Sequence, residues 1–95
     1  MKKLSNVDEA TKGDKILVKE MTEISKEGVL RKHCFEYVLE VKRNNKKTLG
    51  CIYLNGPYSG SGFNWVKGYN LTGVKNKEYY LIENDSEITE KNYAI

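Results

Sequence analysis

The sequence predicts an all-β or β-rich α+β fold: a small antiparallel meander of five strands, either open or closed as an SH3-like or OB-like barrel. Three observations carry that expectation. Residues Cys34 to Arg43 alternate apolar and polar side chains with a period of two. Polar turn signals rich in Gly, Asn and Ser separate short apolar segments along the chain. Seven Tyr, two Phe and one Trp in 95 residues favour pleated, half-buried surfaces.

Read in order, Ser5-Asn6-Val7-Asp8 fits a capping box and starts a single helical turn over residues 7–11. Asp14 to Ile24 is the first expected strand, with Ile16 and Val18 on one face and Lys15, Leu17 and Lys19 on the other. Ser25-Lys26-Glu27-Gly28 has turn chemistry. In the strand Cys34–Arg43, Phe35, Tyr37, Leu39 and Val41 face the core together, because a slip of one residue would expose all four. Asn44 to Lys47 is a turn, and Thr48 to Leu54 a central strand with Leu49, Cys51 and Tyr53 on one face.

Asn55-Gly56-Pro57 interrupts the ladder, since Pro has no N–H to donate. A glycine-rich stretch follows, and Trp65 to Leu71 and Tyr79 to Glu83 are the last two expected strands, separated by a Lys75-Asn76-Lys77 turn. Asn84 to Ile95 is an acidic tail. Residues 1–95 are one domain, with 1–13 and 85–95 peripheral to it.

No apolar run approaches the roughly 20 residues of a membrane helix. Met1-Lys2-Lys3 resembles the start of a signal peptide, but no apolar segment follows. The expected compartment is cytoplasmic, with Cys34 and Cys51 as reduced thiols. Net charge is +3, with the basic excess in residues 1–47. The basic residues Lys15, Lys19, Lys42, Arg43, Lys46 and Lys47 are a candidate patch, set against a mixed surface interrupted by glutamates.

Catalytic equipment is sparse. His33 is the only histidine, and its neighbour Cys34 points to the opposite face of a strand. Neither cysteine has metal-ligand spacing, and the carboxylates Glu83, Asp85, Glu87 and Glu90 fit no calcium loop. The segment Gly56 to Gly62 lacks the Gly-Lys-Ser/Thr ending of a phosphate loop. The expectation is a non-enzyme with no cofactor and no metal.

The stretch Gly56 to Asn70 holds four of the eight glycines, the only Pro, the only Trp and three further aromatics. Tyr58, Phe63, Trp65, Lys67 and Tyr69 are its candidate partner-binding residues, because Tyr and Trp anchor interfaces and a Gly/Ser loop presents them. Tyr58 is expected exposed at the loop tip and Trp65 partly buried. The function expected is binding to, and inhibition or modulation of, a protein. The Lys/Asn/Ile/Tyr-rich usage accompanies AT-rich genomes and suggests a phage or mobile-element origin, with a host protein as partner. The alternative is a small barrel that binds single-stranded nucleic acid through aromatic and basic side chains. Aromatic side chains are plentiful in 48–70, but Lys67 is the only cation there, which favours protein.

Overall fold

The computed structural model describes residues 1–83. Six strands form one antiparallel sheet: β1 Lys2–Lys3, β2 Lys15–Lys26, β3 Val29–Asn44, β4 Thr48–Tyr53, β5 Gly62–Val66 and β6 Lys77–Ile82. Their spatial order is β1-β6-β2-β3-β4-β5, so the last strand returns across the sheet to lie between the first two. The sheet is open, with β1 and β5 at opposite edges, and is neither an SH3-like nor an OB-like barrel. Strand count is six rather than five, because Lys2 and Lys3 pair with Leu81 and Tyr80.

Closure fails for a local reason. The strand expected over Trp65–Leu71 ends at Val66, and the chain turns at Gly68, whose φ of 83° suits glycine. The connection to β6 then leaves the sheet edge and crosses the front face. There it meets the N-terminal segment: the Val7 N–H donates to the Tyr69 carbonyl (3.1 Å), Leu71 N–H to the Ser5 carbonyl (2.9 Å) and Gly68 N–H to Asp8 Oδ1 (2.9 Å). Together these segments lay Leu4, Val7, Ala10, Leu71 and Val74 over the front-face residues Ile16, Leu39, Val41 and Leu49. Residues 1–13 are therefore not peripheral throughout, since Leu4, Val7 and Ala10 belong to the core. The helical turn is a 3-10 turn, Val7–Glu9, and its capping box starts one residue later than expected, with Asn6 as cap and Glu9 as its partner.

The strands β3 and β4 pair around the Asn44–Lys47 turn as expected, and Asn45 Oδ1 accepts from the N–H groups of Lys47 and Thr48. Tyr37, Leu39 and Val41 are buried on the front face, whereas Phe35 is only half-buried because the cover does not reach it. Leu17 and Val38, paired across β2 and β3, are buried on the back face.

A departure from expectation lies between β2 and β3. Both strands run beyond the sheet as a two-stranded arm, from the pair Met21↔Cys34 to Lys26↔Val29. Six pairs at about 3.4 Å each give a projection of roughly 20 Å. The arm closes on Glu27 and Gly28, with φ of 56° and 77°, the two-residue turn whose twist matches its strands. The turn chemistry of residues 25–28 is thus real but centred at its C-terminal end. Val29 and Leu30 are exposed at the arm tip. The acidic tail read from Asn84 to Ile95 lies outside the described residues.

Candidate functional site

The cover occupies only part of the front face. Beside it, β3, β4, β5 and β6 present a continuous row of rings. Tyr53 is the hub, with centroids 5.7 Å from Tyr37, 5.4 Å from Tyr58 and 5.1 Å from Phe63. Phe63 meets Trp65 edge-on at 5.0 Å, and Trp65 meets Tyr79 edge-on at 5.5 Å. These separations and tilts are those that aromatic quadrupoles favour. The alternation of β5 explains the placement: Phe63 and Trp65 point to the front opposite Cys51 and Leu49, while Asn64 and Val66 point away.

The glycine-rich segment is a hydrogen-bonded connector that positions one end of this row. Gly56 and Gly60 take φ of 85° and 87°. Gly60 N–H donates to the Tyr53 carbonyl (2.8 Å), Ser61 N–H to the Tyr58 carbonyl (2.9 Å) and Ser59 Oγ to the Leu54 carbonyl (3.2 Å). At its base Asn55 is buried, and its Oδ1 accepts from Val38 N–H at 2.7 Å. Tyr58 is 56% exposed, and its ring leans on Tyr53. Apolar cover for Tyr58 thus comes from β4, which its sequence neighbours do not foretell.

Two concavities flank the row. A cleft of about 260 Å³ opens between Tyr53, Phe63, Trp65, Lys77 and Tyr79, floored by Leu39. A second, of about 250 Å³, lies between the base of the arm and the glycine-rich loop, lined by Glu20, Thr22, Phe35, Tyr37, Pro57 and Tyr58. Thr22 Oγ1 is buried there with no hydrogen-bond partner among the described residues. Tyr37 Oη donates to Glu20 Oε2 at 3.0 Å. Burial, then this carboxylate, holds the Tyr37 phenol far above the ordinary phenol range. Burial pushes Tyr79 up to about 12 and the Cys51 thiol up to about 11. Burial likewise raises the Tyr53 phenol, so Tyr37, Tyr53 and Tyr79 stay uncharged at neutral pH.

Of the five residues read from the sequence, Tyr58, Phe63 and Trp65 join this row through Tyr53. Lys67 and Tyr69 do not, because the strand that would have aligned them ends at Val66. Lys67 N–H donates to the Lys47 carbonyl, and Tyr69 is 48% exposed over the N-terminal segment. Sequence reading missed Tyr37, Tyr53 and Tyr79. The signal for the first two was their shared parity with the apolar faces of their strands.

The six basic residues do not gather into one patch. Lys15 and Lys19 lie on the back face opposite Glu40 and Glu36, and Lys19 Nζ sits 5.1 Å from the Tyr80 ring centroid. Lys42 pairs with Glu40, and Lys46 and Lys47 sit in the β3–β4 turn. A bulge between Val41 and Arg43 turns Arg43 onto the back face beside Gly50. The two thiols are free, Cys34 exposed and Cys51 buried. Among the described residues, no three of His, Cys, Asp and Glu lie close enough to hold a metal, and no helix is long and apolar enough to cross a membrane.

Comparison with family models, curated proteins and solved structures returns no match.

Proposed function

We propose that this chain is a non-catalytic binding module whose front aromatic row receives a protein partner and thereby inhibits or modulates it. The observation that carries the reading is the aromatic part of the front face that stays partly exposed. Four rings that keep exposed surface there, Tyr53, Tyr58, Phe63 and Trp65, rest on the buried rings of Tyr37 and Tyr79, beside two clefts of about 260 and 250 Å³. Partly exposed Tyr and Trp on a rigid sheet are the anchors that dominate interface energetics. The phage or mobile-element origin, with a host protein as target, rests on composition alone.

A second reading, single-stranded nucleic acid, is favoured by one observation. From Val41 to Lys77 the chain carries seven Lys and Arg and no Asp or Glu. The front cleft has Lys77 as its only cation, while Lys42 and Arg43 border a groove behind β4 and β5. Stacking platforms and cations thus lie on different faces, which disfavours a strand of bases tracked by its phosphates.

A tagged pulldown from lysate, with and without nuclease, separates the two. The proposal expects a protein retained after nuclease and lost with Trp65→Leu. Loss of all captured material on nuclease treatment would overturn it.

A further inference from the structure

The open edge of β5 differs from ordinary sheet edges. Lys67 N–H donates to the Lys47 carbonyl and Tyr53 N–H to the Ser61 carbonyl, each at 2.9 Å. Continuing that alternation, Phe63 and Trp65 bond inward to β4, and the main-chain groups of Gly62, Asn64 and Val66 point outward. Tyr69 N–H takes the Val66 carbonyl, and no strand lies beside the rest among the described residues. The strand Gly62-Phe63-Asn64-Trp65-Val66 has no charge and no Pro, and Val66 is 66% exposed, so the usual protections of an edge are missing.

The surroundings select what would pair there. Gly50 and Gly62 leave a groove of about 390 Å³ on the back of β4 and β5, walled by Lys42, Arg43 and Asn64. A Cβ on Gly50 would meet Asn64 Oδ1 at 3.1 Å and Arg43 Nε at 3.5 Å, so the guanidinium arm lies along this groove. Arg43 has no carboxylate partner among the described residues. Lys47 and Lys67 flank the end of the strand, within the acid-free stretch from Val41 to Lys77.

We infer that the β5 edge takes up an extended acidic peptide segment of the partner as a seventh strand, an inference that rests on the protein-binding reading above. The added strand bonds to the outward N–H and carbonyl groups of Gly62 and Asn64 and to the Val66 N–H. Its side chains opposite Phe63 and Trp65 fall on the front face against the rings. The alternate ones fall behind, where Arg43, next to Lys42 and its partner Glu40, meets a carboxylate. The recognised pattern is therefore apolar and acidic residues in alternation. A second copy pairing edge to edge is disfavoured, because it would bring two sets of these cations together.

Purified chain of residues 1–95 is titrated into a fluorescein-labelled, end-capped octapeptide alternating Glu with Val, read by anisotropy. Saturable binding is expected, at least ten-fold weaker with Lys in place of Glu. Methylating alternate peptide amides should weaken binding at least ten-fold in one of the two registers and little in the other. Asn64→Pro removes an outward N–H that β4 does not use, and should also cost at least ten-fold with the circular dichroism spectrum unchanged. If that variant does not fold, the methylated peptides carry the test. Equal binding of the Lys peptide, indifference to methylation in both registers, or no binding at millimolar peptide overturns the inference. So does a wild-type dimer in sedimentation that Asn64→Pro dissociates, which assigns the edge to a second copy. Ten-fold tighter binding of a labelled oligothymidine would make the basic edge a nucleic-acid site and would overturn the inference as well. These readouts use purified components, so failure here with a nuclease-resistant partner in the pulldown rejects the edge inference and keeps the binding module. No captured protein together with peptide failure rejects both.

Discussion

Tyr58→Ala, measured with and without Tyr53→Leu, tests whether the glycine-rich loop is packed on the ring row. Tyr58 is 56% exposed, so a little under half of about 200 Å² of its surface is covered. At about 25 cal/mol/Å² that is an upper limit near ~2 kcal/mol, and the compactness of real unfolded chains together with the polar hydroxyl reduces it to about 1 kcal/mol. Tyr53→Leu removes three ring contacts while keeping an apolar side chain, and is expected to cost about 2 kcal/mol. If the Tyr53–Tyr58 contact at 5.4 Å holds the loop, the two changes share an interaction, and the double variant should be less destabilised than their sum by about 1 kcal/mol. The assay is urea unfolding of the four chains by circular dichroism with a common slope. Additivity within about 0.3 kcal/mol would refute the reasoning and return the loop to a simple connector.

Other consequences follow from the same geometry. Replacing residues 25–30 by Glu-Gly, so that the pair Ile24↔Arg31 closes the hairpin in its native hydrogen-bonding phase, should change stability by less than about 1 kcal/mol, because residues 25–30 are all exposed; a loss of cooperative unfolding would contradict this. A thiol reagent at pH 8 should modify one cysteine per chain quickly, the exposed Cys34, and the second only on unfolding, since burial pushes Cys51 up to about 11; two fast equivalents would show the burial to be wrong. Cys34 points to the back face and Cys51 to the front, so reducing agent should leave Tm unchanged. The Glu9 carboxyl is held below its ordinary range, first by the Ser5 N–H and then by those of Asn6 and the Ser5 hydroxyl. A carboxyl lowered in the folded state adds stability above its unfolded value, about pH 4.3, and loses it as pH falls through the folded value. Tm of Glu9→Gln should thus lie below wild type at pH 7 and converge with it toward pH 3; a difference that is constant with pH would count against the capping box.

The pleated segments are legible in the sequence because each carries its own period. Tyr37, Leu39 and Val41 declare a buried face, and Asn44 to Lys47 declares the turn after it. The arm is not, because the outer residues from Ser25 to Lys32 have no buried face to create an alternation, and only the positive φ at Glu27 and Gly28 shows that pairing persists to the tip. The end of β5 is equally hidden: on the sequence, Trp65, Lys67 and Tyr69 share a parity, yet one left-handed residue, Gly68, and the Asp8 carboxylate divert the chain over the front face. Long-range pairing of that kind leaves no local signature. The bulge at Lys42 is of the same sort, since it moves Arg43 to the other face without any change in the pattern around it. Tyr58, Phe63 and Trp65 are visible as a local cluster. Tyr53, the residue that joins Tyr58 to Phe63, comes from the preceding strand and is recognised only once the register of β4 with β5 is known.

Trp65 is the only tryptophan in the chain and stands in the front cleft between Phe63 and Tyr79, so 5-fluorotryptophan gives a single ¹⁹F resonance inside the proposed interface. That resonance, followed by NMR while the protein captured after nuclease treatment is added, measures whether the aromatic row is the contact surface. The account predicts that it shifts or broadens with the protein, saturates at one equivalent and stays in place when oligothymidine is added. A resonance unmoved by a partner that demonstrably binds, or one moved by the oligonucleotide alone, would contradict it.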